Sequence, residues 1–168
     1  MAHLPDRRAV LLNRVRLRPD EAVFMPAGNL HAYLRGVGVE VMAASDNVLR
    51  GGLTPKRVDV PELLRVLRFE VLSEPVRQPS VLGPGLVTWP VPVDDFVLHR
   101  ARVGGDTPAL TLPGRGPRIA LCLRGSVRVD DGVSPVVLTG GQAAFAPAGR
   151  GELAVSGDGE VFQARANT

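Results

Sequence analysis

Three side chains that are scarce in this protein crowd into one stretch. His31, Tyr33 and Lys56 lie within 26 positions; Tyr33 is the only tyrosine and Lys56 the only lysine. An imidazole can ligate a metal or move a proton near neutral pH, and a phenol can donate or accept a hydrogen bond. A lysine ammonium is a compact, titratable point charge that a guanidinium does not replace. Every other basic side chain here is arginine, so Lys56 reads either as a site that needs an ammonium or as chance. His31 and Tyr33 are two residues apart, so a strand places them on one face together with Arg35. A reversal at Gly36-Val37-Gly38 brings Glu40 back toward that face. Taken singly, each has a plainer reading: His31 as a structural histidine, Glu40 as a solvated strand residue, and Arg50 as one arginine among many.

The 168 residues suit one domain or two small ones, with 45% hydrophobic and 22% charged residues, as in ordinary globular chains. No apolar run reaches the roughly 18 residues of a membrane span, and residues 1–20 lack the apolar core of a signal peptide, which implies a cytoplasmic protein without a membrane partner. The net charge of +3 comes from scattered arginines, and aromatics are only 4%, so the stacking platform of a nucleic-acid binder is missing. Cys122 is the single cysteine, which excludes an internal disulfide, and its apolar setting I-A-L-C-L predicts a buried, inert thiol. His3 belongs to a frayed start, and His99, on an alternating run, reads as structural or surface.

The elements that must position these groups are short strands punctuated by Gly and Pro. Residues 9–18 alternate as a half-buried strand; residues 21–25, 31–35 and 39–44 follow as strands, the last two joined by the Gly36–Gly38 turn. Residues 45–60 are a loop. Pro61 opens a short helix, with Leu63, Leu64 and Leu67 on one face. Residues 73–92 read as a Pro/Gly-rich connector in which Trp89 is an apolar anchor. Strands then resume from residue 95 to residue 165, with Asp130-Asp131-Gly132 and Gly157-Asp158-Gly159 as hairpin-type turns.

The chain repeats itself. Asp20–Gly28 (D-E-A-V-F-M-P-A-G) matches Gly141–Gly149 (G-Q-A-A-F-A-P-A-G), and Gly36 and Gly38 match Gly157 and Gly159 at the same offset of 121 residues. Two copies of one β unit follow. They are unequal, because His31 corresponds to Glu152 and Tyr33 to Ala154. The later copy also has 47 strand-bearing residues ahead of its motif, against 19 ahead of Asp20. The first unit is short by about three strands, which implies a longer protein or a second chain that covers its open edge.

The string from Pro26 to Leu67, P-A-G-N-L-H-A-Y-L-R-G-V-G-V-E-V-M-A-A-S-D-N-V-L-R-G-G-L-T-P-K-R-V-D-V-P-E-L-L-R-V-L, resembles the C-terminal half of type I mannose-6-phosphate isomerases, zinc enzymes of the cupin superfamily. By that resemblance His31 matches the last zinc ligand and Arg50 the catalytic arginine, while Glu40, Tyr33 and Lys56 match other active-site positions. The remaining three of the four zinc ligands, from a Gln-x-His pair and a Glu after Lys-Pro, have no counterpart here. The resemblance implies interconversion of mannose 6-phosphate and fructose 6-phosphate through an enediol. That chemistry needs a base for the C–H proton and positive charge for the developing oxyanion.

These readings combine into an all-β, cupin or jelly-roll protein with one truncated and one complete lobe. Residues 1–60 form the C-terminal part of the catalytic lobe, 61–93 the short helix and Pro-rich connector, and 94–168 a metal-free lobe. The partners implied are a sugar phosphate once the site is completed, and an N-terminal half or a second copy at the open edge. The alternative is a non-catalytic cupin-like module for binding or assembly. A complete small cupin enzyme would need His3 or His99 to reach His31.

Overall fold

The computed structural model describes residues 12–44, 48–52 and 54–167. His3, the start of the strand expected at residues 9–18, and Asp46 and Asn47 lie outside them. The chain divides into two compact units, Met1–Glu40 with Ala44–Val76, and Val41–Ala43 with Arg77–Thr168.

In the first unit, strand β1 (Ala22–Val23) pairs with β2 (Val76–Arg77), where that unit ends. Helix α1 (Val60–Val66) follows the loop. Asp59 caps α1 by accepting the Glu62 N–H at 3.1 Å, and Pro61 occupies the first turn, where no amide partner is lost. The strands expected at residues 31–35 and 39–44 do not form. A lone hairpin is marginal in water, and neither segment finds a neighbouring strand to complete its ladder.

The second unit is an eight-stranded antiparallel barrel-like sheet ordered β3-β4-β5-β10-β7-β8, with β6 on β10 and β9 on β7. Its strands are β3 (Ser80–Gly83), β4 (Leu86–Thr88), β5 (Val97–Val103), β6 (Ala109–Leu112), β7 (Arg118–Asp130), β8 (Val136–Thr139), β9 (Ala143–Ala146) and β10 (Leu153–Arg165). The supposed connector, residues 73–92, therefore contributes β3 and β4 to this sheet in addition to carrying β2, and Trp89 stacks on Phe162 with ring centroids 6.2 Å apart. The inward alternation of Ala101, Val103, Leu112, Ala120, Cys122, Val127, Val129, Leu153, Val155 and Val161 forms the core. Along β7 the buried phase switches from Ala120/Cys122 to Val127/Val129, with a register shift opposite Glu160/Val161. A bulge is what allows both halves of β7 to face inward.

Gly157-Asp158-Gly159 is not a turn but the middle of β10. A Cβ at Gly157 would lie 2.6 Å from Ser126 O, and one at Gly159 2.6 Å from Arg124 O. Glycine serves there for close approach of β7 and β10 backbones at a corner. Asp130–Gly132 does turn, with Asp130 Oδ1 accepting the Gly132 N–H at 2.8 Å.

The repeat is built into the backbone. Asp20 has φ 74°, and its counterpart Gly141 has φ 88°; Gly28 and Gly149 have 86° and 82°, and Gly36 and Gly157 have 130° and 116°. The turns match bond for bond. Glu21 N–H donates to Arg18 O at 3.1 Å, and Gln142 N–H to Thr139 O at 2.9 Å. The side chains of Glu21 and Gln142 accept the N–H of Arg18 and Thr139 at 2.8 and 2.9 Å. Both turns place positive φ at their third residue, and Pro19 fits the second position of such a turn. Asp20, among the described residues, is the only non-glycine that adopts it.

Candidate active site

All five residues singled out by sequence lie in the first unit. His31 is exposed, and its Nδ1 lies 3.2 Å from Asn29 O. That carbonyl can only accept, so the contact selects the Nδ1–H tautomer and leaves Nε2 with its lone pair outward, the form that binds a metal. The Tyr33 ring meets the His31 ring edge-on, with centroids 5.8 Å apart and planes at 73°.

Tyr33 Oη donates to Glu40 Oε1 at 2.7 Å across the Gly36–Gly38 reversal. The hydrogen bond to Glu40, partial burial and the carboxylate charge push the phenol up to about 12. In this arrangement the carboxylate is engaged by the phenol.

Arg50 is exposed. The loop that carries it returns to the His31 stretch, because a Cβ at Gly51 would come 2.5 Å from Leu30 Cδ1. A larger residue at Gly51 would have to displace the end of the Leu30 side chain, which packs on the loop next to His31. Lys56 is exposed, with its backbone N–H donating to Thr54 Oγ1 at 3.2 Å. The structure thus brings together His31, Tyr33 and Glu40 directly, and the Arg50 loop through Leu30. It records no side-chain contact between Lys56 and the others.

His31 fits a metal as a single ligand. Among the described residues no group of three or more His, Cys, Asp or Glu side chains converges. About three protein ligands are the minimum for a catalytic zinc, so the described residues by themselves do not compose one.

The second unit holds polar clusters that sequence reasoning passed over. His99, read as structural or surface, is buried beside Gln163 and feels the charge of Arg165, which in turn lies opposite Arg118. On the opposite face Glu160 sits under Arg100, Arg102 and Arg124, with Nε to carboxylate distances of 3.7, 3.1 and 2.8 Å. Strand alternation in H-R-A-R and in E-V-F-Q was the signal for both, since it puts His99 and Gln163 on one face and Arg100, Arg102 and Glu160 on the other.

No family model matches the chain. It is 39% identical over 158 residues to a mannose-6-phosphate isomerase of Escherichia coli, covering 90% of this chain and 39% of that protein. A point mutant of phosphomannose isomerase from Salmonella typhimurium superposes with a TM-score of 0.62 and 30% identity, over 74% of this chain and 32% of that one. The enzyme from the same organism, solved with fructose 6-phosphate and zinc, superposes with a TM-score of 0.60, over 73% and 31%. These neighbours have a cupin fold, and the chain spans about two-fifths of the length of the curated relatives it matches. In sequence and in fold, this chain is similar to the C-terminal part of mannose-6-phosphate isomerases.

Proposed function

We propose that this chain supplies the C-terminal part of a mannose-6-phosphate isomerase site and that it needs further protein to turn over. The observation that carries the reading is the His31 imidazole, held by Asn29 O with Nε2 free, within a segment matched at 39% identity to such an enzyme. In the completed site, zinc held by His31 and three further ligands would polarise the sugar oxygens. Glu40 takes the proton from C2 of the aldose and returns it to C1, while a proton passes from the C2 hydroxyl to the aldehyde oxygen. Arg50 offsets the charge that develops on the enediol oxygen, and Lys56 binds the phosphate as a point charge. Tyr33 lines the same face. We place the reaction in the cytoplasm; in keeping with this, no described helix is long and apolar enough to cross a membrane.

A coupled assay tests this. The purified chain shows negligible isomerase activity and weak zinc binding. Activity appears when it is mixed or co-expressed with a segment that carries the Gln-x-His and Lys-Pro-Glu motifs. Robust turnover by the chain alone, or none in any mixture that forms a complex, overturns the reading.

A second reading, a non-catalytic module completed by a partner or by a second copy, is favoured by the exposed apolar side chains of the first unit. Leu34, Val37, Phe69 and Val71 are each at least three-quarters exposed. Light scattering separates the two: a stable dimer without activity in any mixture supports the module.

A further inference from the structure

At one end of the second unit's barrel, the inner face turns from apolar to charged. Arg118 on β7 lies directly opposite Arg165 on β10, and one step inward Gln163 lies between Ala120 and His99. Like charges in opposed positions repel, yet neither guanidinium has a carboxylate at ion-pair distance among the described residues. Arg118 is 1% exposed and Gln163 is fully buried. Asp131 and Glu152 offset part of the Arg118 charge from beyond ion-pair distance, while Arg165 opposes it; burial of an incompletely balanced cation is costly.

The loop from Pro113 to Pro117 closes this end. Pro113 O accepts from Gln163 Nε2 at 2.8 Å, and Gly116 O accepts from Arg118 Nη1 at 2.7 Å. A Cβ at Gly114, where φ is 112°, would meet Arg165 Cδ at 2.5 Å. Arg118 Nη2 also donates to Gly151 O, and Arg165 Nη1 to Ala166 O at 2.8 Å. These bonds fix the side chains but leave three buried atoms without a partner: Arg118 Nε, Arg165 Nε and Gln163 Oε1. Two are cationic donors and one is a neutral acceptor.

We infer that the Arg118, Arg165 and Gln163 cluster under the Pro113–Pro117 loop binds a small oxyanion that carries a hydroxyl group. The oxyanion accepts from the two Nε–H groups, and the hydroxyl donates to Gln163 Oε1. A buried water could satisfy some of these atoms, but it brings no negative charge beside the two guanidiniums, and Asp131 and Glu152 act on Arg118 only from a distance. His99, at 3.4 Å from Gln163 Nε2, sits at the inner wall and stays neutral at physiological pH. A hydroxycarboxylate and a phosphate ester share this chemistry.

The test uses the full chain labelled with 15N, titrated separately with glycolate, glycerol 3-phosphate and inorganic phosphate. At least one probe shifts the Nε–H resonances of Arg118 and Arg165 and the Gln163 side-chain amide, saturably and together. Glycolate favours the hydroxycarboxylate and glycerol 3-phosphate the phosphate ester. Arg165→Met, half-buried and less disruptive than a change at Arg118, weakens binding about tenfold or more. Arg124→Ala, on the outer face, leaves binding unchanged. No saturable shift with any probe, shifts confined to Arg102 and Arg124, or binding indifferent to Arg165→Met in a folded variant overturns the inference. If Arg165→Met does not fold, the wild-type resonances decide.

Discussion

Tyr33 Oη reaches Glu40 Oε1 at 2.7 Å across a reversal at Gly36, although the equivalent pair in the second unit, Ala154 and Val161, lies along one continuous strand. Seven residues of extended chain separate side chains by roughly 23 Å. The contact therefore belongs to a segment without strand partners.

A single tyrosine makes this measurable. Phenolate absorbance should titrate near 12 in the isolated chain and move down toward the ordinary value of about 10 in Glu40→Ala. Because the folded pKa is raised, the contact stabilises fully below the unfolded pKa, and that stability is lost as pH rises through the folded value. An unchanged titration in Glu40→Ala would count against the contact.

His99 carries the opposite dependence. Burial, reinforced by the Arg165 charge, pushes it down to about 4. The neutral form is favoured in the fold, so its contribution is present above the unfolded pKa of about 6.5 and is lost as pH falls toward 4. The lost stability approaches roughly 3 kcal/mol. Urea unfolding at a series of pH values should show this slope in the native chain and a flatter one in His99→Gln.

Glu160 is nearly buried and shared by three arginines, of which Arg100 is itself buried and stacks its guanidinium over Trp89 at 5.8 Å. Removal of the carboxylate in Glu160→Ala leaves Arg100 without that counter-charge and should cost on the order of 3 kcal/mol in urea unfolding. A loss of only a few tenths would mean that the cluster behaves as an exposed network.

Two core positions report on the barrel. Leu112→Ala, at a fully buried site, should cost about 2–5 kcal/mol. Cys122 is fully buried, and burial pushes its thiol up, so it should resist thiol reagents in the folded chain and react on unfolding. Fast labelling of the native protein would contradict this placement.

Much of this protein is local information. The 121-residue repeat, written in Asp20–Gly28 and Gly141–Gly149, sets two turns whose φ angles and hydrogen bonds coincide, because Pro, Gly and a returning Glu or Gln side chain specify a turn within four residues. The run of strands read between residues 95 and 165 and the buried thiol of Cys122 were likewise legible, because apolar runs between Gly and Pro turns are local. Strand partnership is different, since a ladder depends on what lies alongside. Only the tertiary structure recruits residues 80–88 into the sheet and makes Gly157–Gly159 a crossing point rather than a turn. The reversal at Gly36–Gly38 that returns Glu40 to Tyr33 was legible in the sequence, but only the tertiary structure leaves residues 31–35 and 39–44 without strand partners. The same holds for the charge at the barrel end: Arg118 and Arg165 are 47 residues apart in sequence and face each other only through the pairing of β7 with β10.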